Sequence, residues 1–227
     1  MPSFHARNLF ACAFAFILTA AVFTGCTGNG EKEFEKGLKL YKSEQYESAF
    51  KFFAKGTNRG SLGAQTYLGI CYMLGRGVEQ NEAKGIELLR DAAAQGYAEA
   101  QKNLGLCYQD GIGVEKDEAA AVIWFREAAA QGNPDAHISL GLCYAQGRGV
   151  EKNDVEAFQW MKRCSELSDL PPDAAAAANF NLGLFYLRGD GVEQNEEEAH
   201  RIFRKAADLN PAMAQENFER MGEEPAP

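Results

Sequence analysis

Residues 104–114, LGLCYQDGIGV, contain two short motifs, LGxxY and GxGV, at a fixed offset from each other. The same pair occurs as LGICYMLGRGV at 68–78, LGLCYAQGRGV at 140–150 and LGLFYLRGDGV at 182–192. The four copies start 36, 36 and 42 residues apart. A period of this length predicts an array of supersecondary units, each of which buries its apolar face against the next. The sequence therefore indicates a fold before it indicates any chemistry.

The LGxxY motif predicts the first helix of each unit. A small residue precedes each motif leucine by four positions and the tyrosine follows it by four, which places all three on one face of a helix. Glycine inside a helix is unfavourable by about 1 kcal/mol relative to alanine. The motif glycines therefore indicate close approach of a neighbouring helix. GxGV then ends the helix, because glycine tolerates the left-handed backbone at a helix C-terminus.

A second helix is predicted after each GxGV motif. An asparagine or aspartate stands in register as its N-cap. These caps are Asn81, Asp117, Asn153 and Asn195. Small and large apolar residues then recur at helical spacing. The chain from 33 to 60 fits the same scheme with a shorter loop, and residues 211–222 look like half a repeat that caps the end.

This pattern over about 36 residues resembles the Sel-1-like repeat, a relative of the tetratricopeptide repeat, and the resemblance covers residues 33–222. It implies an all-α fold: a right-handed α-solenoid of helix-turn-helix repeats whose first helices line a concave face. It also implies an adaptor that holds other proteins or peptides. The expected segments are a tetratricopeptide-like unit at 33–60, Sel-1-like units at about 61–96, 97–132, 133–172 and 173–210, a capping helix at 211–222 and a tail at 223–227.

The helix phase predicts a peptide-binding face on the concave side. If the LGxxY leucine and tyrosine point into the stack, the residue two positions after the leucine faces the groove in each unit. The expected face comprises Thr66, Ile70, Met73, Lys102, Leu106, Gln109, Ile138, Leu142, Phe180, Leu184 and Leu187. Asn103 and Asn181 correspond to a position at which tetratricopeptide relatives often place an asparagine that binds a peptide backbone. The alternative is that the aliphatic residues pack between the two helix layers.

The N-terminal segment predicts a lipoprotein leader. Arg7 precedes an uncharged apolar run, Leu9–Phe23, that is shorter than the roughly 20 residues a membrane-spanning helix needs. Such a run indicates a signal peptide. Thr24-Gly25-Cys26 follows and resembles the lipobox of bacterial lipoproteins, although Phe23 stands where an aliphatic residue is usual. The alternatives are an ordinary signal peptide cut near Ala21 and an uncleaved anchor.

The lipobox resemblance implies a leader at 1–25, lipidation of Cys26 and a short tether at 26–32. The expected location is the bacterial envelope, with the chain held to the membrane by lipid on the periplasmic side. Thr27 follows the cysteine where an aspartate would resemble an inner-membrane retention signal, which favours the outer membrane.

The charge balance excludes one class of partner. The 227 residues include 23 Lys and Arg against 32 Asp and Glu, a formal net charge of −9. Nucleic-acid binding requires a basic surface, so no nucleic-acid partner is expected. The acidic balance also predicts that membrane contact comes from the lipid and not from a basic face.

The cysteines and histidines predict neither a disulfide framework nor a metal site. Cys71, Cys107 and Cys143 share one repeat position. Equivalent positions on packed helices lie about 8–10 Å apart, which is too far for a disulfide. No CxxC or histidine-rich spacing supports a metal, and we expect buried thiols that act as small apolar residues. His137 and His200 are expected to be exposed or half-exposed.

No catalytic constellation or cofactor motif is expected. GxGV follows a helix rather than a strand, which argues against a nucleotide-binding loop. Ser48-Ala49-Phe50-Lys51 matches SxxK, but no SDN or KTG motif follows. Because some cysteine-rich relatives are described as β-lactamases, an envelope enzyme of that kind is an alternative. A secreted or immunity-type adaptor is a second alternative. We expect a non-enzymatic scaffold for a protein or peptide.

Overall fold

The computed structural model describes residues 27–168, 170–212 and 215. These residues form helices and connecting turns, and the described part contains no strand. The helices are α1 (Thr27–Lys42), α2 (Tyr46–Thr57), α3 (Leu62–Leu74), α4 (Glu82–Ala94), α5 (Ala98–Asp110), α6 (Glu118–Ala130), α7 (Pro134–Gln146), α8 (Asp154–Ser165), α9 (Pro172–Arg188) and α10 (Glu196–Leu209). The expected all-α repeat fold is confirmed.

The described residues divide into two compact units, one ending at Gln80 and the other beginning at Asn81. The first contains α1 to α3, and the second contains α4 to α10. The predicted leader 1–25, Cys26 and the tail 223–227 lie outside the described residues, as does most of the capping helix predicted at 211–222. Of the helices described, none combines the length and the apolar composition needed to cross a bilayer.

The predicted helix boundaries at the motifs are confirmed. The side chains of the four predicted N-caps accept a hydrogen bond from the third residue of the helix that follows. The distances are 3.0 Å for Asn81, 2.9 Å for Asp117, 3.0 Å for Asn153 and 2.9 Å for Asn195. The first glycine of each GxGV motif caps the preceding helix in the left-handed conformation, with φ between 65° and 74°. Local chemistry thus sets both ends of each connecting loop.

The core of the first unit is aromatic. The Phe53 side chain is fully buried on α2, and its ring lies 5.3 Å from that of Tyr67 on α3 and 6.0 Å from that of Tyr41 on α1. A Cβ atom at Gly37 would lie 2.6 Å from the Phe53 ring. Glycine on α1 therefore allows α2 to approach closely.

In the second unit the LGxxY glycines serve the same purpose. A Cβ atom added to any of them would overlap a side chain on the second helix of the same repeat. The distances are 2.5 Å from Gly105 to Phe125, 2.6 Å from Gly141 to Met161 and 2.5 Å from Gly183 to Phe203. These three large side chains are nearly or fully buried. In each repeat the two helices therefore pack through an aromatic ring or a thioether that lies against a glycine.

The structure corrects two local expectations. The segment predicted as a tether is helical from Thr27, and Gly30 is buried because α1 packs its first turns against the chain around Arg59 and Ser61. His137, expected to be at least half-exposed, is buried at 5% exposure. It lies against Trp160 with ring centroids 5.5 Å apart, because its position on α7 faces α8.

Candidate functional site

The second glycine of GxGV joins consecutive repeats. A Cβ atom at Gly149 would lie 2.1 Å from the carbonyl oxygen of Glu118, and one at Gly191 would lie 2.1 Å from that of Asp154. Glu118 and Asp154 begin the second helix of the preceding repeat. In the first unit Gly77 approaches the Tyr46 carbonyl in the same way, at 2.3 Å. The motif therefore docks one repeat on the previous one as well as ending a helix, a role that the sequence reasoning missed.

The side chain of Glu118 also takes part in this joint, the contact between a GxGV loop and the start of the second helix in the preceding repeat. Lys116 hydrogen-bonds to the Glu118 carboxyl and, with a smaller contribution from the Gly149 N–H, lowers the pKa of that group. The Glu118 carboxylate thus accepts hydrogen bonds from Lys116 in its own repeat and from the Gly149 N–H in the next.

The LGxxY tyrosines form a second set of contacts between repeats. Arg90 on α4 donates to the Tyr108 hydroxyl on α5 at 3.1 Å, and Arg126 on α6 donates to the Tyr144 hydroxyl on α7. Lys162 occupies the corresponding position in the next repeat. The tyrosine is thus accounted for by packing and hydrogen bonding within the array.

Several residues of the predicted peptide-binding face lie in the core instead. Thr66 is fully buried, and its hydroxyl donates to the Leu62 carbonyl at 2.8 Å. Phe180 is 6% exposed with its ring 5.2 Å from that of Phe203, and Met73 is also buried. A ligand cannot reach these side chains in this conformation. The helix phase correctly predicted that these side chains face the inner side of their helices. It did not predict that neighbouring helices cover them there.

Lys102 belongs to a polar network rather than to a free surface. Its ammonium lies 2.7 Å from the Glu99 carboxylate and 3.5 Å from that of Asp135, and the residue is buried. The Glu99 carboxylate also accepts a bond from the Asn133 amide at 3.2 Å. Two consecutive repeats are thereby tied together by charge. Sequence spacing held a signal for part of this network, since Glu99 and Lys102 stand at i and i+3 on one helix.

The two asparagines predicted to bind a peptide backbone are bonded to their own helices. The Asn103 amide donates to the Glu99 carbonyl at 2.8 Å, and the Asn181 amide donates to the Ala177 carbonyl at 2.9 Å. Both side chains are half-buried. To bind a peptide, each would exchange this local bond for one to the ligand.

The aliphatic residues two positions after the motif leucine are partly exposed, as a binding face requires. Ile70, Leu106, Leu142 and Leu184 are all half-buried. Leu106 packs on the cluster around Phe125 and Leu140, and Leu142 packs on the next cluster along the chain. One side of each leucine therefore contributes to packing and the other side is open. Gln109, Ile138 and Leu187 are half-buried as well. As a ligand site, this face stays a prediction.

The thiols occupy apolar packing positions. Cys71, Cys107, Cys143 and Cys164 are free and buried. Burial raises the pKa of Cys71 and of Cys107 to about 11 and that of Cys164 to about 12. A protonated, enclosed thiol is a poor nucleophile and a poor metal ligand.

The remaining candidate catalytic and metal-binding residues do not form a site. Ser48 and Lys51 of the SxxK string are both exposed on α2, and His200 is exposed on α10. Within the described part of the chain, no group of His, Cys, Asp and Glu residues could hold a metal ion.

Comparison with known proteins identifies the repeats. The family model for the Sel1 repeat matches residues 63–97, 98–133, 134–169 and 176–211. These segments make up more than half of the chain, which belongs to the Sel1-repeat family. A search of curated proteins finds no significant match.

Solved structures support the same assignment. A Sel1 repeat protein from Oxalobacter formigenes is 34% identical over 81% of this chain and 70% of its own, with a TM-score of 0.67. A protective antigen of uropathogenic Escherichia coli with an SLR fold is 29% identical over 87% of this chain and 44% of its own, with the same TM-score. An immunity protein from Pseudomonas aeruginosa, at 19% identity over 88% of this chain and 73% of its own, shares the fold with a TM-score of 0.61.

Proposed function

We propose that the chain is a non-enzymatic scaffold that binds protein or peptide partners and is held at the bacterial envelope by a lipid on Cys26. Sel1 repeats generally mediate protein–protein binding, and four of them match in this chain. The observation that carries the proposal is the series of half-buried aliphatic residues at one repeat position. In the second unit it consists of Leu106, Leu142 and Leu184.

This series supports a binding role because it repeats an apolar, partly open position from one first helix to the next. Apolar surface left in contact with water is an aggregation hazard unless a partner covers it. Gln109 and Leu187 lie on the same helices and are also half-buried. An extended peptide could contact the aliphatic residues with its side chains, while the asparagines and Gln109 supply hydrogen bonds.

Site-specific photocrosslinking in cells tests the binding face. A photoreactive amino acid at Gln109 or Leu142 should give a discrete adduct with a partner. Ile123 and Val155 are matched control positions, because they are aliphatic but lie exposed on the second helices at 59% and 57% exposure. Adducts at the control positions alone would move the binding surface to the second helices and contradict the proposal.

The lipid anchor is supported by the apolar run that ends in Thr24-Gly25-Cys26. Metabolic labelling with a palmitate analogue should mark the wild-type protein and not Cys26→Ala. Density-gradient fractionation should place the labelled protein with the outer membrane. Labelling that persists in the variant, or that never occurs in the wild type, would exclude the anchor.

The non-enzymatic assignment has its own test against the β-lactamase alternative. Purified protein should not hydrolyse nitrocefin above the background rate. Hydrolysis that disappears in Ser48→Ala would establish the alternative, since Ser48 is the only SxxK serine in the sequence.

A further inference from the structure

The first helical hairpin has a charge opposite to that of the whole chain. Residues 27–60 contain seven Lys and Arg against five Asp and Glu, whereas the full sequence has 23 against 32. The acidic average therefore hides a basic segment. That segment begins immediately after Cys26.

The lysines of α1 lie on one side of the helix. Lys32, Lys36 and Lys39 are spaced by four and three residues, which aligns them along a single stripe. All three are exposed, and none has a carboxylate within salt-bridge distance among the described residues. Glu31 and Glu35 are exposed on the neighbouring part of the helix surface, roughly 60–100° further round at the helical repeat.

The stripe points away from α3. Phe34 and Tyr41 contact Tyr67 of α3, with ring centroids 5.5 and 5.6 Å apart. Each lysine stands two residues from Phe34 or Tyr41, and two residues correspond to about 200° around a helix. The lysines are therefore on the side of α1 turned away from α3, and all three are exposed.

Lys55 on α2 and Arg59 in the turn that follows α2 extend the same surface. Lys55 and Arg59 lie 3.0 and 2.5 Å from the carboxylate of Glu33, which is itself 8% exposed, while the two basic side chains are 53% and 39% exposed. The Lys36 ammonium lies 5.9 Å from the ring of Phe52, which is half-buried. The hydrogen bond from Lys55, aided by the charges of Arg59 and Lys36, lowers the pKa of Glu33. The buried Glu33 carboxylate thus holds Lys55 and Arg59 beside α1, next to the lysine stripe.

Most of this surface lies toward the end of the hairpin that directly follows Cys26 in the sequence, whereas Lys39 is in the last turn of α1. α1 starts at Thr27, and because α2 runs antiparallel to it, the C-terminal end of α2 returns to the same end. A Cβ atom at Gly30 would lie 3.0 Å from the Arg59 carbonyl oxygen, which fixes that proximity. Within the first unit, Lys32, Lys55 and Arg59 are therefore the basic residues nearest the start of α1.

We propose that the surface formed by Lys32, Lys36, Lys39, Lys55 and Arg59 rests on the anionic headgroups of the bilayer. The proposal rests on the envelope location proposed above, and it revises the expectation that the lipid alone makes membrane contact. Basic side chains near an anionic membrane surface attract it electrostatically, within a Debye length. Phe52 and the lysine stems supply apolar area at the interface. The contact orients the first repeat on the membrane.

Vesicle flotation of the mature chain with Cys26→Ala tests this surface without the lipid. At low salt it should bind vesicles of phosphatidylethanolamine and phosphatidylglycerol more tightly than vesicles of phosphatidylcholine, and added salt should remove the difference. Lys32→Gln with Lys36→Gln should weaken anionic binding about 25-fold, because each basic residue at the surface contributes about fivefold. Neither lysine lies within salt-bridge distance of Glu33, so the fold should be retained, as circular dichroism can verify.

The matched control is Lys162→Gln with Lys205→Gln, which removes two exposed lysines from the second unit. It should leave vesicle binding unchanged. Equal weakening in both pairs, or no preference for anionic vesicles, would overturn the proposal. Binding to poly-glutamate that depends on Lys32 and Lys36, without vesicle binding, would also overturn it and assign the surface to an acidic protein. A wild-type protein that is never labelled by palmitate, with the vesicle preference retained, would reject the lipid anchor and leave the basic surface standing.

Discussion

Gly149 packs so closely on Glu118 that a Cβ atom at the glycine would lie 2.1 Å from the glutamate carbonyl oxygen. The contact joins the GxGV loop of one repeat to the first turn of α6 in the repeat before it. Because the partner atom is backbone, no rotamer change can relieve an added methyl group.

Gly149→Ala should therefore be strongly destabilising. The residue has φ +68°, which is unfavourable for alanine by about 1–2 kcal/mol, and the overlap adds about 1–3 kcal/mol. We expect a loss of about 3 kcal/mol or more in the free energy of unfolding, measured with urea. Gly132→Ala is the matched control, since Gly132 has φ +79° but nothing within 4 Å of the added carbon. Equal losses in the two variants would show that backbone conformation, not the joint, matters at Gly149.

Gly105→Ala should destabilise through a different contact, and it should be rescuable. The added carbon would lie 2.5 Å from the Phe125 ring, and overpacking of this kind is unfavourable by about 1–3 kcal/mol. Phe125→Leu should recover part of that loss when combined with Gly105→Ala, giving a non-additive double-mutant cycle. Additive effects would mean that the contact with the Phe125 ring is not the reason why position 105 requires glycine. Gly141→Ala should be milder, because flexible Met161 takes the place of the ring.

Burial of the thiols predicts a loss of stability in alkali. The pKa of Cys107 is raised to about 11 in the folded chain, against about 8.5 when unfolded. Stability from this thiol is complete below pH 8.5 and falls as pH rises towards 11, by up to about 1.4 kcal/mol per pH unit. Urea unfolding under reducing conditions at pH 8 and pH 10 measures the slope. Cys107→Ala should have a shallower slope than the wild type, and an unchanged slope would contradict the assignment.

Substitution of the half-buried leucines should abolish partner binding while the protein remains folded. Leu106→Gln with Leu142→Gln should abolish the photocrosslinked adduct formed at Gln109. The two changes should lower stability moderately, by about 1–3 kcal/mol in total, because one side of each leucine packs on the core. Ile123→Gln with Val155→Gln should retain the adduct and the stability. An adduct that survives in a folded Leu106/Leu142 variant would remove these residues from the binding face.

Periodicity and local rules were sufficient for the helices of the GxGV repeats, the caps at their loops and the LGxxY glycines. Asn153 caps α8 because of its own side chain, and Gly141 faces Met161 because both positions follow from helical spacing within one repeat. Such features depend on residues close in sequence or in the same repeat. They could be predicted before any packing was known.

Depth of burial could not be predicted in the same way. Thr66, Lys102, Ile138 and Phe180 share one repeat position, yet Ile138 is half-buried and the other three are buried. Helix phase gives the direction of a side chain but not how far its neighbours extend over it. The ion pairs of Lys102 with Glu99 and Asp135 depend on two repeats at once, so single-repeat reasoning placed this lysine on the wrong surface.

The joint at the second GxGV glycine bears on how such a chain can lengthen by duplication. Each repeat carries both halves of the joint: a glycine for the repeat before it and a helix start for the repeat after it. A duplicated repeat therefore inherits compatible neighbours on both sides. The last repeat spacing is six residues longer because the connection before α9 and α9 itself are both longer, yet a Cβ atom at Gly191 would lie 2.1 Å from the Asp154 carbonyl oxygen, the same distance as from Gly149 to Glu118. Insertions can accumulate between repeats, whereas the loop inside each repeat is held to a fixed length.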